Sequence, residues 1–357
     1  MKNLLLFVFL ICSGIIHAQK VRKYSNEFLN IGVDAAAMGM ANSVVASTDN
    51  VNAAYWNPAG LIHLDTKQLS LMHASYFANI AQYDYVAFAM PIDEKSAVGL
   101  SLIRFGVDDI MNTTELIDQN GNIDYDKISL FSTADYAFTA SYSRALPIEG
   151  LSLGVNAKVI RRVIGKFANS WGFGFDLGVQ YQTASGWKLG AMARDITTTY
   201  NMWTINKKEF EKISNAIPGQ NSELPETTEI TMPKLQLGAA RKFNFNEDFS
   251  VLTAMGINLE FAETQAIIST KGFSVNPTLG LEFAYTDMVF VRGGVGNFQN
   301  TTQLDGTEKI GFQPNIGIGF QYRGVQIDYA LTDIGDQSVA LYSNIFSLKL
   351  NLDIFSR

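Results

Sequence analysis

The chain runs to 357 residues with a formal net charge of −7, only 17% charged side chains, 12% aromatic ones and 29 glycines. Both signs of charge are scattered without a polybasic patch, which excludes nucleic acid as a partner, and no Pro/Ser-rich linker or charge run divides the sequence, so one large domain is expected. Few charges beside many glycines and aromatics suit a β-barrel whose outer face meets lipid.

The first segment, Met1-Lys2-Asn3 followed by an apolar run from Leu4 to Ile16 and then His17-Ala18-Gln19, reads as a secretory signal peptide, residues 1–18, cut after Ala18. The run is too short to span a bilayer as a helix. Cys12 is the one cysteine and lies inside this segment, so the mature chain has none for a disulfide or a thiolate metal site. Ile11 stands where a lipoprotein has a small residue, which argues against lipidation.

Residues 19–66 alternate poorly and are rich in Ala, Gly, Met and Asn: Phe28-Leu-Asn-Ile-Gly32, Ala35-Ala-Ala-Met-Gly39-Met-Ala41, and Asn52-Ala-Ala-Tyr55-Trp56-Asn57-Pro58-Ala59-Gly60-Leu61. Small residues allow close backbone packing, and Asn57 before Pro58 favours a turn over a continuing helix. The segment is expected to be a short N-terminal plug inside a barrel formed by residues 67–357.

From there the sequence alternates apolar residues with small or polar ones, as strands with one lipid-facing and one lumen-facing side must. Trp171, Phe173, Phe175, Leu177, Val179 and Tyr181 share one face against Gly172, Gly174, Asp176, Gly178 and Gln180; Leu151 to Val159 opposes Ser152, Gly154, Asn156 and Lys158 in the same way. Fourteen such segments are expected, at 69–77, 82–90, 97–105, 134–144, 151–162, 169–181, 187–197, 234–243, 249–260, 275–285, 289–298, 311–322, 325–332 and 342–355. The fold class is therefore all-β: a 14-stranded antiparallel transmembrane barrel of the outer membrane, with both termini periplasmic. Every second connection is short, while the intervening ones include the longest, 106–133 and 198–233, as periplasmic turns and outer loops require. Tyr181, Trp187, Tyr285 and Tyr322 flank the short turns as an interfacial girdle does. The last strand, ending near Phe355, resembles the signal by which such barrels are recognised for insertion.

On the stretches Leu29-Asn-Ile-Gly32 to Met40 and Tyr55-Trp-Asn-Pro-Ala-Gly-Leu61, the chain resembles the PorV/PorQ family, itself similar to FadL-type fatty-acid transporters with a fourteen-stranded barrel and an N-terminal hatch carrying an Asn-Pro-Ala element. The resemblance implies a non-enzymatic subunit of type IX protein secretion, with partners among outer-membrane proteins: a translocon, an attachment complex, or exported cargo. Two alternatives stay open: a FadL-like channel for hydrophobic solutes, and an accessory subunit of a barrel-insertion machine. Lipid and lipopolysaccharide are its expected surroundings, and no cofactor is expected.

Other signals are weaker. Only His63 and His73 follow the signal segment, and neither sits in a recognisable triad, so no catalytic residue is expected. Asp118-Gln-Asn-Gly-Asn-Ile-Asp124 supplies oxygen ligands, but Gly121 is misplaced for a calcium loop, and Asn120-Gly121 between Ile117 and Ile123 reads as a hairpin. Gly172 to Gly178 alternates with bulky residues and lacks a phosphate-loop lysine, so strand packing explains it. Lys158, Asp176, Lys188, Arg194, Glu282, Asp328 and Lys349 fall on lumen positions and are expected to form internal ion pairs or to touch the plug. In the longest loop Phe210, Ile213 and Ile217 recur at helical spacing near Trp203, a candidate docking element for a partner.

Overall fold

Strict period-two patterning drives these segments into strands, and in lipid every backbone N–H and C=O must find a partner strand, so the sheet has to close on itself. The computed structural model, which describes residues 25–77, 79–117, 121–216, 227–302, 306–332 and 343–355, has this closed form. Its strands are β1 (Gln68–Tyr76), β2 (Ala81–Asp93), β3 (Ser96–Asn112), β4 (Ser129–Ala145), β5 (Leu151–Ile164), β6 (Ala168–Gln182), β7 (Trp187–Arg194), β8 (Thr199–Ile205) and β9 (Thr228–Thr231). They continue as β10 (Lys234–Asn244), β11 (Phe249–Glu260), β12 (Ile268–Ser269), β13 (Ser274–Tyr285), β14 (Val289–Thr302), β15 (Glu308–Tyr322), β16 (Val325–Thr332) and β17 (Ser343–Asn351).

Neighbours pair antiparallel from β1 to β7, then through β10, β11 and β13 to β17, which returns to β1 with Gln68 opposite Asn351. That ring is the expected 14-stranded barrel. Its outer face carries the apolar residues: Trp171, Phe173 and Phe175 are each about half exposed, while Asp176 and Gln180 on the alternate positions are buried in the lumen. Tyr181, Trp187, Tyr285 and Tyr322 are exposed beside the short turns, as a girdle requires.

The strands depart from the expected segments at several points, β8 and β9 within the loop expected at 198–233 among them. The segment expected at 187–197 stops at Arg194, because Asp195 and Thr198 adopt left-handed backbone (φ 53° and 60°), and pairing with β6 resumes only in β8. The final strand ends at Asn351 rather than running to 355: the Asn351 side-chain carbonyl accepts the Asp353 N–H at 3.2 Å and starts a 3-10 turn, Leu352–Phe355. β3 and β4 extend well beyond 105 and before 134, pairing past a bulge between Val107 and Ile110, so the loop expected at 106–133 shrinks to residues 113–128. β12 is an additional short strand on β13. Ile117 and Ile123 form an isolated antiparallel bridge, and Gly121 adopts φ +84°; residues 118–120, with Asn120 of the expected hairpin turn, lie outside the described residues, as do the expected signal peptide and the N-terminus.

Residues 25–66 fill the lumen. They form a 3-10 turn at Glu27–Asn30, the helices α1 (Ala35–Gly39) and α2 (Ala53–Trp56), and a 3-10 helix Pro58–His63. Val33, Val51, Ala54, Ala59 and Leu61 are fully buried, against a wall kept small where the two meet. At Gly154 a Cβ would collide with the backbone of Pro58 and Ala59, and at Gly178 with the Asn57 side chain.

Gly154→Val or Gly178→Val is therefore expected to destabilise the plugged barrel by at least about 1–3 kcal/mol, the range for overpacked cores. Gly293, whose added Cβ meets nothing, is the control. Heat-modifiable electrophoretic mobility should report lower melting for the first two and no change for Gly293→Ala.

Candidate functional site: the plug and the lumen

The motif Tyr55 to Leu61 lies inside the barrel and is hydrogen-bonded both to the rest of residues 25–66 and to the wall. Pro58 opens the 3-10 helix, where its missing N–H costs nothing, and Asn57 caps that helix, its Oδ1 accepting from Ala59 N at 3.2 Å. The same side chain is fully buried and turns its Nδ2 toward three carbonyls: Val45 in the plug at 2.9 Å, Val179 on β6 at 3.0 Å and Ala191 on β7 at 3.4 Å. One amide thus joins two parts of the plug to two strands of the wall. Around it, Tyr55 Oη donates to Leu29 O (2.6 Å), Trp56 Nε1 to Val33 O (3.0 Å), and Arg194 Nη2 to Tyr55 O (2.9 Å), with the guanidinium 4.3 Å from the Tyr55 ring centre. From the wall, Ser143 Oγ donates to Ala59 O, Asn156 Nδ2 to Ala54 O, and Gln180 Nε2 to Thr48 O, each at 3.0 Å.

At the other side of the plug, Asp34 sits on the seam where the ring closes. Its N–H points at Met72 Sδ on β1 at 3.0 Å, and its Oδ1 accepts from Ser347 Oγ on β17, also at 3.0 Å; Met72 and Ser347 are direct partners across that seam. Helix α1 follows, with Gly39 lying against Gly317 of β15.

Five of the seven expected lumen charges, Lys158, Asp176, Lys188, Glu282 and Asp328, are in ion pairs, and Arg194 touches the plug. Lys158 reaches Asp176 at 2.8 Å and Asp195 at 2.7 Å, all three buried; Arg292 holds Glu282 at 2.6 Å and Asp328 at 2.7 Å; Lys188 reaches the plug at Asp49, 3.0 Å away. Two members escaped the sequence reading. Arg292 occupies an ordinary alternate position and was legible as such. Asp195 was not, since alternation after Arg194 points it outward, and only the left-handed turn brings it in.

Two cavities lie on opposite sides of the plug, with Trp56 at the edge of both. One, about 650 Å³, faces the short turns beside Asp49, Gln68, Lys188 and Lys349. The other, about 380 Å³, lies on the long-loop side and is lined mainly by polar side chains. His73 points to the outer face, where its Nδ1 meets Asp84 at 2.7 Å, and His63 is exposed at the end of the plug, so neither is paired with an activated hydroxyl in the lumen. No cluster of metal-ligating residues occurs among the described residues.

Of the candidate partner contacts, the spacing at 207–217 does form a helix, α3 (Lys207–Ala216), tied to the β5–β6 turn by Lys166–Glu209 at 3.0 Å. Phe210 is partly exposed on it. Ile217 and the side chain of Ile213 lie outside the described residues, and Trp203 is on the inner face of β8 with its ring 5.2 Å from the Arg162 guanidinium.

A family model described as type IX secretion system protein PorV matches residues 16–264. The chain belongs to the PorV family. Its barrel is similar in fold to solved outer-membrane channels. These include a Pseudomonas aeruginosa FadL homologue (14% identity, TM-score 0.53, 89% of this chain and 98% of that one). They also include the Pseudomonas putida toluene transporter TodX (12% identity, TM-score 0.53, covering 92% and 97%). The Ralstonia pickettii toluene transporter TbuX is a third (12% identity, TM-score 0.52, covering 90% and 98%). Curated protein sequences give no match. Fold and family together make this PorV-family protein an outer-membrane β-barrel.

Asn57→Asp is expected to be worse than Asn57→Ala: both lose the amide donors, but the carboxylate also faces two or three carbonyl oxygens. The alanine variant should cost about 1–3 kcal/mol and the aspartate more, read as earlier proteolysis of the plug on heating. Lys158→Met leaves Asp176 and Asp195 buried without their cation, a loss of about 3–5 kcal/mol. Adding Asp176→Asn and Asp195→Asn should recover much of it in the same melting assay.

Proposed function

We propose that this PorV-family barrel is a non-enzymatic subunit of type IX secretion, binding the translocon, an attachment complex or exported cargo through its long loops and outer wall. The observation that carries the reading is a plug hydrogen-bonded to the wall from several sides, between two cavities whose linings mix polar and apolar side chains. A solute crossing the lumen would have to break those plug–wall bonds, so this reading assigns the work to the outside of the molecule. The short turns and the C-terminal strand end lie in the periplasm in this reading, and helix α3 with Phe210 is the first docking element to test.

A FadL-like channel for hydrophobic solutes is the second reading. It is favoured by the fold shared with toluene transporters and by one feature of the wall: the β7–β8 break at Asp195–Thr198 faces Met232-Pro233, so strand pairing is interrupted on both sides of that point.

Mass spectrometry after pull-down on an outer-loop tag from gently solubilised membranes separates the two. Secretion reading: large outer-membrane partners or exported proteins at near-equal amounts, with Phe210→Glu lowering their recovery while the barrel stays heat-modifiable. Barrel-assembly subunits in the pull-down would instead assign the protein to barrel insertion. A partner-free barrel that passes monoaromatic solutes into liposomes would replace secretion with the channel.

A further inference from the structure

The long-loop cavity is lined by a row of side-chain amides. Gln236, Asn258 and Asn276 are direct cross-strand partners on β10, β11 and β13, and Asn297 and Gln313 carry the row onto β14 and β15. Gln236 Nε2 donates to Asn258 Oδ1 at 2.8 Å and Asn297 Nδ2 to Gln313 Oε1 at 3.3 Å. The Asn276 carbonyl also accepts from Phe298 N at 3.3 Å and the Asn297 carbonyl from Gln299 Nε2 at 2.7 Å. Each amide has two donor hydrogens and a carbonyl with two lone pairs, so these bonds together use only part of the row's capacity.

One member reaches the row by a costly route. The β14–β15 register shifts between Gly296 and Gln299, and Asn297 adopts φ 51° there, so Gly296 and Asn297 both border the cavity while the Phe298 ring lies 6.1 Å from the outward Phe312. A bulge re-aims a side chain, and a left-handed non-glycine residue in a strand is strained; the residue re-aimed is an amide. A smaller adjoining cavity of about 130 Å³ shares Asn258, Asn276 and Asn297 and prolongs the row beneath the loop that carries β12.

The charges bordering the row are already engaged. Lys234 and Glu260 pair at 2.9 Å, and Arg194 donates to Gln236 Oε1 at 2.7 Å as well as to Tyr55 O. Arg194 has neutral partners only in these bonds, but its guanidinium is taken up by Gln236, Tyr55 O and the Tyr55 ring, so an anion would have to displace those contacts. A hydrocarbon would leave the remaining amide donors and acceptors unpaired, at about 1–3 kcal/mol for each group left unsatisfied.

We propose that the amide row is a binding site for an uncharged oligosaccharide. Neighbouring sugar hydroxyls each donate and accept at once, and a side-chain amide presents a matching C=O and NH2 pair. The row crosses the strands, so its members follow the inter-strand spacing of about 4.8 Å, close to the length of one pyranose ring. An extended peptide laid along the row presents like-facing groups only about every 6.6–6.8 Å, and fits this spacing less well. Tyr76 and Ile31 at the cavity edge offer apolar surface for the C–H faces of the rings.

The test uses the full-length protein in an amine-oxide detergent, whose headgroup contains no sugar. It is applied to a panel of neutral di- to tetrasaccharides, with acidic glycans and an Asn/Ser-rich peptide on the same panel. Retention of at least one neutral oligosaccharide above the acidic glycans and the peptide is expected. Asn258→Leu with Asn276→Leu should weaken it by about tenfold or more. Asn297→Gly relaxes the φ 51° backbone while deleting the amide, so it should fold at least as well and still bind less. No retained neutral glycan, preference for the charged glycans or the peptide, or wild-type binding by both variants would overturn the proposal. None of these outcomes touches the secretion reading, which rests on different surfaces.

Discussion

In a bilayer the backbone has no water to fall back on, and the rest of this structure follows from that demand for partners. It forces the sheet into a ring with β1 against β17, and the ring in turn creates an interior that must be filled. Residues 25–66 do the filling, but an irregular segment brings unpaired N–H and C=O groups of its own. The wall answers with inward Ser143, Asn156, Gln180 and Arg194, each donating to a plug carbonyl. Asn57 carries the logic furthest, since its one side chain serves plug and wall together.

Two economies let so much chain fit inside. Glycines stand on the wall where the plug presses close, against its backbone at Gly154 and against the Asn57 side chain at Gly178, and on the plug itself at Gly39 against Gly317. Charges are gathered into contacts of opposite sign, such as Lys158 with its two aspartates. Exposed ion pairs contribute little, but buried ones become costly once a member is removed, so these sets specify the arrangement more than they add net stability.

The barrel was largely legible because period-two alternation is a direct image of a wall with lipid on one side and lumen on the other. The strands around Trp171 to Tyr181 and Leu151 to Val159 needed no more than that. What alternation hides is any place where the period itself breaks. The turn at Asp195, the bulge at Asn297 and the early stop at Asn351 each depend on one or two left-handed residues or one side-chain cap, and Asp, Asn and Thr take such roles without announcing them. The plug motif was visible as residues but not as a role: Asn57 and Pro58 signal a turn, whereas the carbonyls that Asn57 reaches lie more than a hundred positions away. The amide row was hidden for a related reason, since its members are neighbours only across strands.

Asp34 touches Met72 and Ser347, which face each other where the first and last strands of the ring meet. The chain's beginning therefore rivets the join that its end completes. Because the plug runs directly into β1, a ring that closed without Asp34 in place would lose a contact to both of its closing strands at once. Filling the interior and sealing the wall are thereby one cooperative event, scored by the same residue.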